Sequence, residues 1–418
     1  MNKKTKTIKA EEVSIEEAYK KSVDFLRDCS TENGFVASVT DIENYRRVWA
    51  RDGCVTGLAA LLSGKEDLIK TFKKTLITLG NNQGRQGQIP SNVDTRRKKV
   101  SYGMTAGRVD SSLWYVIGFA QYIKHTGDKQ FLNENPDILN RTMNILEAWE
   151  YNQKDFIFVP DSGDWADESS RHGYILYDQL LYFQALLDYS YILKETGKKN
   201  DFWKEKSRRL KRKVLTNFWM KEGEIDKESI YHPEIFDKSY MKYIGKQKFW
   251  LENFHHHTLY NRFDAFANIL TILLDFSDNE QAKKIFDYIS EIVGAGYLVP
   301  AFFPVISPEF EEEWKQLQGN YSFHFKNLPY HSHNGGLWTM LTGFYIEALV
   351  KYGKTELAEE YLKNIGMANS MDKDENGWGF YEYHHGLRRV PGGTRGLAWS
   401  AAGGILGYKA LKGKKIFK

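Results

Sequence analysis

Apolar positions recur every three to four residues along most of the chain, and strand-like alternation is scarce, so the pattern predicts helices. Twelve are expected, near 14–29, 53–63, 66–79, 111–126, 137–152, 174–196, 200–219, 263–275, 279–293, 335–353, 355–367 and 395–411. Ser14 with Glu17 forms a capping box at the first start. Gly80, Gly127, Gly197 and Gly353 each close a periodic run.

The helices alternate in character. Charged, one-sided stretches such as "GKEDLIKTFKKTLITLG" are followed by "SSLWYVIGFAQYI", "AFANILTILL", "GLWTMLTGFYIEALV" and "LAWSAAGGILGYKAL". A helix that is apolar almost all round belongs inside, and a one-sided helix belongs outside. Six inner and six outer helices in alternation describe an all-α (α/α)6 barrel. It is expected to take up residues 1–418 as one catalytic domain, with long rim loops at 81–107, 220–261 and 294–332.

A polar, aromatic or Gly-rich piece precedes every inner helix. In order these are "VWARDG" (48–53), "AGRVD" (106–110), "DSGDWADESSRHG" (161–173), "NRFD" (261–264), "YHSHNGG" (330–336) and "YEYHHG" (381–386). Inner helices running the same way bring all six to one end, around one pocket. The third piece crowds Asp161, Asp164, Asp167 and Glu168 about Trp165.

Composition narrows the ligand. Aromatics reach 15%, with 11 Trp, 25 Tyr and 25 Phe, a surplus that suits stacking on sugar rings. A net charge of +4 is too balanced to imply nucleic acid, and the basic run "KSRRLKRK" (206–213) reads as a solvated outer face. Cys29 and Cys54 are the only cysteines, so no disulfide framework or zinc spacing is present. No apolar run approaches the roughly 20 residues of a membrane span. The start "MNKKTKTIKAEEVS" lacks a signal-peptide core, so a cytoplasmic protein is expected. The "HHH" at 255–257 has no acidic or Cys companion at helical spacing, and neither metal nor cofactor is expected.

A pocket with indole walls, guanidinium donors and carboxylates fits a polyol. Cleaving a glycosidic bond takes one protonated carboxyl on the leaving oxygen and one ionised partner. Crowding among Asp161, Asp164, Asp167 and Glu168, beside the indole, should raise one pKa. Glu382, followed by His384, His385, Arg388 and Arg389, is the best distant partner. Taken singly these pieces are ordinary: Asp52 and Asp110 read equally well as helix caps.

With these motifs placed, the chain resembles the neutral/alkaline invertases, glycoside hydrolase family 100, from about residue 45 to 410. "VWARDG", "GRVDSSLWYVIGFAQYIKHTGD", "YHSHNGGLW", "GWGFYEYHHG" and "LAWSAAGGILGYKAL" follow the family's order and nearly its spacing. The resemblance implies metal-free, inverting hydrolysis of sucrose and frequent homo-oligomers. It also implies that Trp49, Arg51, Asp52, Arg108, Asp110, Gln179, His333, Asn334 and Trp338 line the sugar pocket; Trp165, at the centre of the acid cluster, is expected in its wall as well. Glu382 matches the family's second catalytic carboxylate. Asp167, six residues before Gly173, falls nearly where the invertase acid does and opens a "D-x-S-S-R" similar to the trehalase acid loop. Asp167 is therefore expected as the acid ahead of Asp164, then Asp161.

The acid loop is longer than in the invertases, and Tyr177 and Asp178 replace an acidic and an aliphatic residue before Gln179. A trehalase-like or amylo-α-1,6-glucosidase-like specificity is the first alternative to sucrose. A sugar 2-epimerase, which works through paired histidines, is the second, resting on His331, His333, His384 and His385.

Overall fold

A computed structural model describes residues 13–103, 106–256, 258–294, 297–372 and 377–418. Its helices, in chain order, are α1 (Ile15–Asp28), α2 (Ala50–Ser63), α3 (Glu66–Asn81), α4 (Asp110–Thr126), α5 (Lys129–Glu134), α6 (Pro136–Ala148), α7 (Leu176–Glu195) and α8 (Asp201–Phe218). There follow α9 (Pro233–Tyr243), α10 (Ala265–Leu273), α11 (Asn279–Val293), α12 (Glu311–Gly319), α13 (Thr339–Lys351), α14 (Thr355–Ser370) and α15 (Ala398–Leu411).

Six of them close a ring. α2 packs on α4, α4 on α7, α7 on α10, α10 on α13, α13 on α15, and α15 back on α2. Every residue of α2 is buried, which is why its sequence shows no polar face. The outer helices bury one stripe each, as α3 does with Leu68, Phe72, Leu76 and Leu79. This is the (α/α)6 barrel that the alternation predicts. The tightest joint, α13 on α15, is made by two glycines: a Cβ on Gly343 would lie 2.5 Å from the Gly403 carbonyl oxygen.

The expected twelve helices are all present, and three short ones join them. α9 and α12 fall inside the predicted rim loops, and α5 precedes α6. Ser14 accepts from the Glu17 amide at 3.1 Å, so the serine half of the capping box forms. Gly80 does not end a helix; it lies inside α3, where a side chain would strike the Tyr115 hydroxyl. The run 206–213 is not simply solvated. Lys206 is buried against Glu147 and Glu150, and Arg209 and Lys213 both grip Asp155.

Small antiparallel strand pairs brace the entrances to the inner helices. Val48–Trp49 pairs with Asn92–Asp94 and runs into α2. Tyr174–Ile175 pairs with Asn253–His255 before α7, and Phe263–Asp264 pairs with Phe302–Phe303 before α10. Each pair fixes the direction in which the chain enters its helix, and so where the first side chains point.

Candidate active site

The pocket opens among these entrances. Its wall is built by Tyr45, Trp49, Arg51 and Asp52 from the approach to α2, Arg108 from that to α4, and Trp165, Asp167 and Glu168 from the acid loop. Phe323, Lys326, Ser332, His333 and Trp338 come from the approach to α13, and Glu382 and Trp399 from the approach to α15 and its first turn. Five of the six polar segments thus meet at one place. The fourth, "NRFD", does not reach it: Asp264 is buried behind the acid loop, bonded to Arg171.

Arg51 and Arg108 converge on Asp167. Arg51 lies 3.5 Å from its Oδ2, and Arg108 donates to the same oxygen. Arg51 is itself fixed by Asp110 at 2.8 Å and by the Asp164 carbonyl at 3.2 Å. Arg108 stacks over Trp49, and Arg51 over Trp399. Burial alone would raise the Asp167 carboxyl, but the two guanidinium groups outweigh it and pull the pKa down to about 2. The expectation that Asp167 stores the proton is therefore not met, because its nearest neighbours are cations and not the other acids.

The raised carboxyls are its neighbours. Burial lifts Glu168 to about 7, with the Asp167 charge adding to it and Lys326 opposing. Burial lifts Asp52 to about 6 against the pull of Arg51. Glu382 is raised by burial, with Lys326, the Thr394 amide and the Tyr45 hydroxyl favouring its charged form. Tyr45 donates to Glu382 Oε1 at 2.9 Å and Thr394 N to Oε2 at 3.1 Å. Gly393 makes room for this: at φ +68° a Cβ there would lie 2.4 Å from Glu382 Oε2.

Four residues expected at the sugar surface stand behind it. Asp164 is buried on Arg171 and accepts from the Ala166 amide at 2.9 Å; its pKa, lifted by burial to about 6, belongs to that internal cluster. Asp110 is buried on Arg51 and sits inside α4, not at its N-cap. Gln179 spends both ends of its amide on the Ile157 backbone, at 3.0 and 2.8 Å. Asn334 is likewise closed onto Ile306 and Asn327. For Asp164, Gln179 and Asn334 the loop backbone, which needs partners once buried, takes the polar group; Asp110 is taken by the Arg51 side chain. Asp161, third among the candidate acids, pairs with His172 at 2.8 Å on the exposed rim.

Of the four histidines singled out, His333 alone lines the pocket. Burial pushes it down to about 3, so it is neutral, and neither ring nitrogen has a protein partner. His331 contacts Tyr383, His384 is buried beside Tyr297, and His385 accepts from the Leu387 and Arg388 amides. His331 and His385 do pair, their rings 4.6 Å apart, but neither lines the pocket. His257 of the "HHH" run lies outside the described residues, and His255 stacks on His172 at 4.0 Å. Among the described residues no three metal-ligating side chains converge, and no helix is long and apolar enough to cross a membrane.

Glu168 belongs to the acid cluster expected at the pocket, whereas Tyr45, Phe323, Lys326 and Trp399 join the wall without having been expected there. Trp399 could have been found, since it lies in a motif already noted. Tyr45, Phe323 and Lys326 stand in aperiodic loops that carry no such signal.

The barrel is similar to that of a GH63 mannosylglycerate hydrolase from Thermus thermophilus, solved with Tris and D-glycerate. The TM-score is 0.64 at 13% identity, over 93% of this chain and 99% of that one. It is also similar to a bacterial glucoamylase solved with acarbose, with a TM-score of 0.61 at 13% identity, over 96% and 56% of the chains. In sequence the chain is 26% identical to alkaline/neutral invertase E, chloroplastic, of Arabidopsis thaliana, over 80% of this chain and 61% of that protein. It is 24% identical to cytosolic invertase 1 of Oryza sativa subsp. japonica, over 95% and 77%. Fold and site define an (α/α)6 barrel with a pocket of carboxylates, guanidinium groups and indoles at one end. The chain belongs to the alkaline and neutral invertase family, which it matches over residues 17–409.

Proposed function

We propose that the protein hydrolyses a small α-linked glucoside, sucrose first, by metal-free acid/base chemistry with inversion at the anomeric carbon. The observation that carries the reading is the meeting of Asp167 and Glu382, 215 positions apart in sequence, in one pocket walled by Trp49, Trp165, Trp338 and Trp399. Trp49, the least buried of these indoles, provides apolar surface for a pyranose, and Arg51, Arg108, Asp52 and His333 provide donors and acceptors for its hydroxyls. Glu382, held by Tyr45 and Thr394, takes the proton of the attacking water. Asp167 protonates the leaving oxygen. The hydroxyls of a bound sugar would draw Arg108 away from Asp167, and exclusion of water would then lift its carboxyl.

A second reading of the acid rests on Glu168, which faces the same pocket and is already held at about 7. Leaving-group dependence separates the two. The true acid variant loses disaccharide cleavage but keeps hydrolysis of a glycosyl fluoride, which needs little protonation. Asp167→Asn is expected to give this profile and Glu168→Gln a modest, uniform loss; the reverse would assign the acid to Glu168. Glu382→Gln should disable both substrates. The substrate follows from a panel of sucrose, trehalose, maltose, isomaltose and kojibiose with monosaccharide detection. Retention of anomeric configuration by NMR would overturn inversion. A cytoplasmic location and a homo-oligomeric state belong to the same proposal, the latter checked by light scattering.

A further inference from the structure

One aromatic in the pocket wall differs from the rest. Trp165, Trp338 and Trp399 are sealed into the barrel, whereas Phe323 leaves 63% of its surface open. Nothing in the packing of its loop requires this. Trp314 and Tyr321 pack edge-on against Phe325, and Phe323 takes no part in that cluster. Phe323 instead stands at the mouth with φ +60°, a left-handed conformation that is unfavourable for a bulky aromatic residue.

The loop is tied down on both sides of it. The Ser322 amide donates to Glu168 Oε1 at 3.3 Å, and Asn327 donates to the Glu168 carbonyl at 3.1 Å. Lys326 and His324 both pair with Glu43, at 2.9 and 3.0 Å. Asn320 accepts from Ser162 of the acid loop at 3.0 Å. An exposed phenyl ring in a strained backbone, clamped next to the candidate acid, is held for a purpose outside the fold.

We propose that Phe323 is the platform of the leaving-group subsite, its open face stacking on the ring of the departing sugar. This rests on the glycosidase reading above, and it names the class of substrate: a glycoside whose leaving group is itself a ring with an apolar face. The inner part of the pocket, around Trp49, Asp52 and Asp167, holds the glycosyl ring that is attacked. Phe323, carried on the segment that is clipped to the acid loop through Glu168, holds the ring that leaves. A substrate without a leaving sugar makes no use of it.

The experiment compares the cleaved disaccharide of the panel with α-D-glucosyl fluoride, in wild type and in Phe323→Ala, Phe323→Gly and Phe323→Trp. Phe323→Ala and Phe323→Gly should lower kcat/KM for the disaccharide by roughly tenfold, mainly through KM, while the fluoride changes less than about threefold. Phe323→Trp should keep disaccharide cleavage. Phe323→Gly should unfold at a temperature no lower than Phe323→Ala, because glycine accepts the left-handed backbone. Equal losses on both substrates, or no loss on the disaccharide, would overturn the inference while leaving the hydrolase reading intact. A wild-type enzyme that cleaves neither substrate would instead overturn the reading itself, and one that cleaves the fluoride but no disaccharide would overturn both.

Discussion

The Tyr45 hydroxyl donates a hydrogen bond to Glu382 Oε1 at 2.9 Å, joining the approach to the first inner helix to the approach to the last. The bond favours the charged carboxylate, which a general base must be, against the burial that raises its pKa. Removing the hydroxyl in Tyr45→Phe therefore raises the Glu382 pKa further. The acidic limb of the pH profile of kcat/KM should move up by about one unit, with little change on the alkaline side. An unshifted limb would separate Glu382 from the step that limits activity at low pH.

Arg171 is the hub of a buried cluster beneath the acid loop. It pairs with Asp264 at 2.7 Å and Glu252 at 3.3 Å, bonds Asp164, and stacks over Phe302. Asp178, raised well above the usual carboxylate range by burial and by the Asp164 charge, completes it. Arg171→Met would leave these acids with no cation at their centre, and about 3–5 kcal/mol of stability should go with it. Asp164→Asn is expected to change the unfolding temperature and to act alike on disaccharide and fluoride. A leaving-group-dependent loss in Asp164→Asn would return it to the list of acids.

The contrast between Asp164 and Asp167 shows where the sequence could be read and where it could not. The barrel was legible because an inner helix must be apolar all round: α2 is buried at every residue and α4 from Asp110 to Ile123. Arg51, Arg108, Asp167 and Glu382 were legible because each stands just before or at the start of an inner helix. Gln179 and Asn334 occupy comparable places and read the same, yet the buried backbone of Ile157 and Ile306 claims them. A polar side chain in such a segment can serve a ligand or a loop, and only the path of the loop decides. Spacing also could not tell that Arg108 would neutralise the crowding around Asp167, since the two are 59 positions apart.

Asp52 faces the pocket with a carboxyl that burial lifts to about 6 from an ordinary 3.8. A folded-state pKa above the unfolded one means stability that is complete below pH 3.8 and is lost as pH rises through about 6. Asp52→Asn removes that loss, so the variant should unfold at a higher temperature than wild type at pH 8 and at a similar one near pH 4. Activity should move the other way, by on the order of 3 kcal/mol of transition-state binding, or about a hundredfold in kcat/KM. Wild-type kcat/KM in this variant would remove Asp52 from the sugar site.

At the opposite end of the barrel, Glu347 of α13 offers a test free of catalysis. It is buried, and its Oε2 accepts the Ile416 amide at 2.8 Å, tying down the segment after α15. Burial raises its pKa from 4.5 to about 7, against the Ile416 amide and the charges of Lys351 and Lys415. Both folded and unfolded chains carry the proton below pH 4.5, and there the stabilisation is complete. Between pH 4.5 and 7 only the unfolded chain ionises, so stability falls, and above about 7 the loss is constant. At 1.36 kcal/mol per unit the gap is on the order of 3 kcal/mol. Glu347→Gln keeps an oxygen for the Ile416 amide but has no proton to lose. Its unfolding temperature should therefore match wild type at pH 4.5 and exceed it at pH 8. Parallel curves across that range would mean that Lys351 and Lys415 already stabilise the charged form, and that burial does not govern this carboxyl.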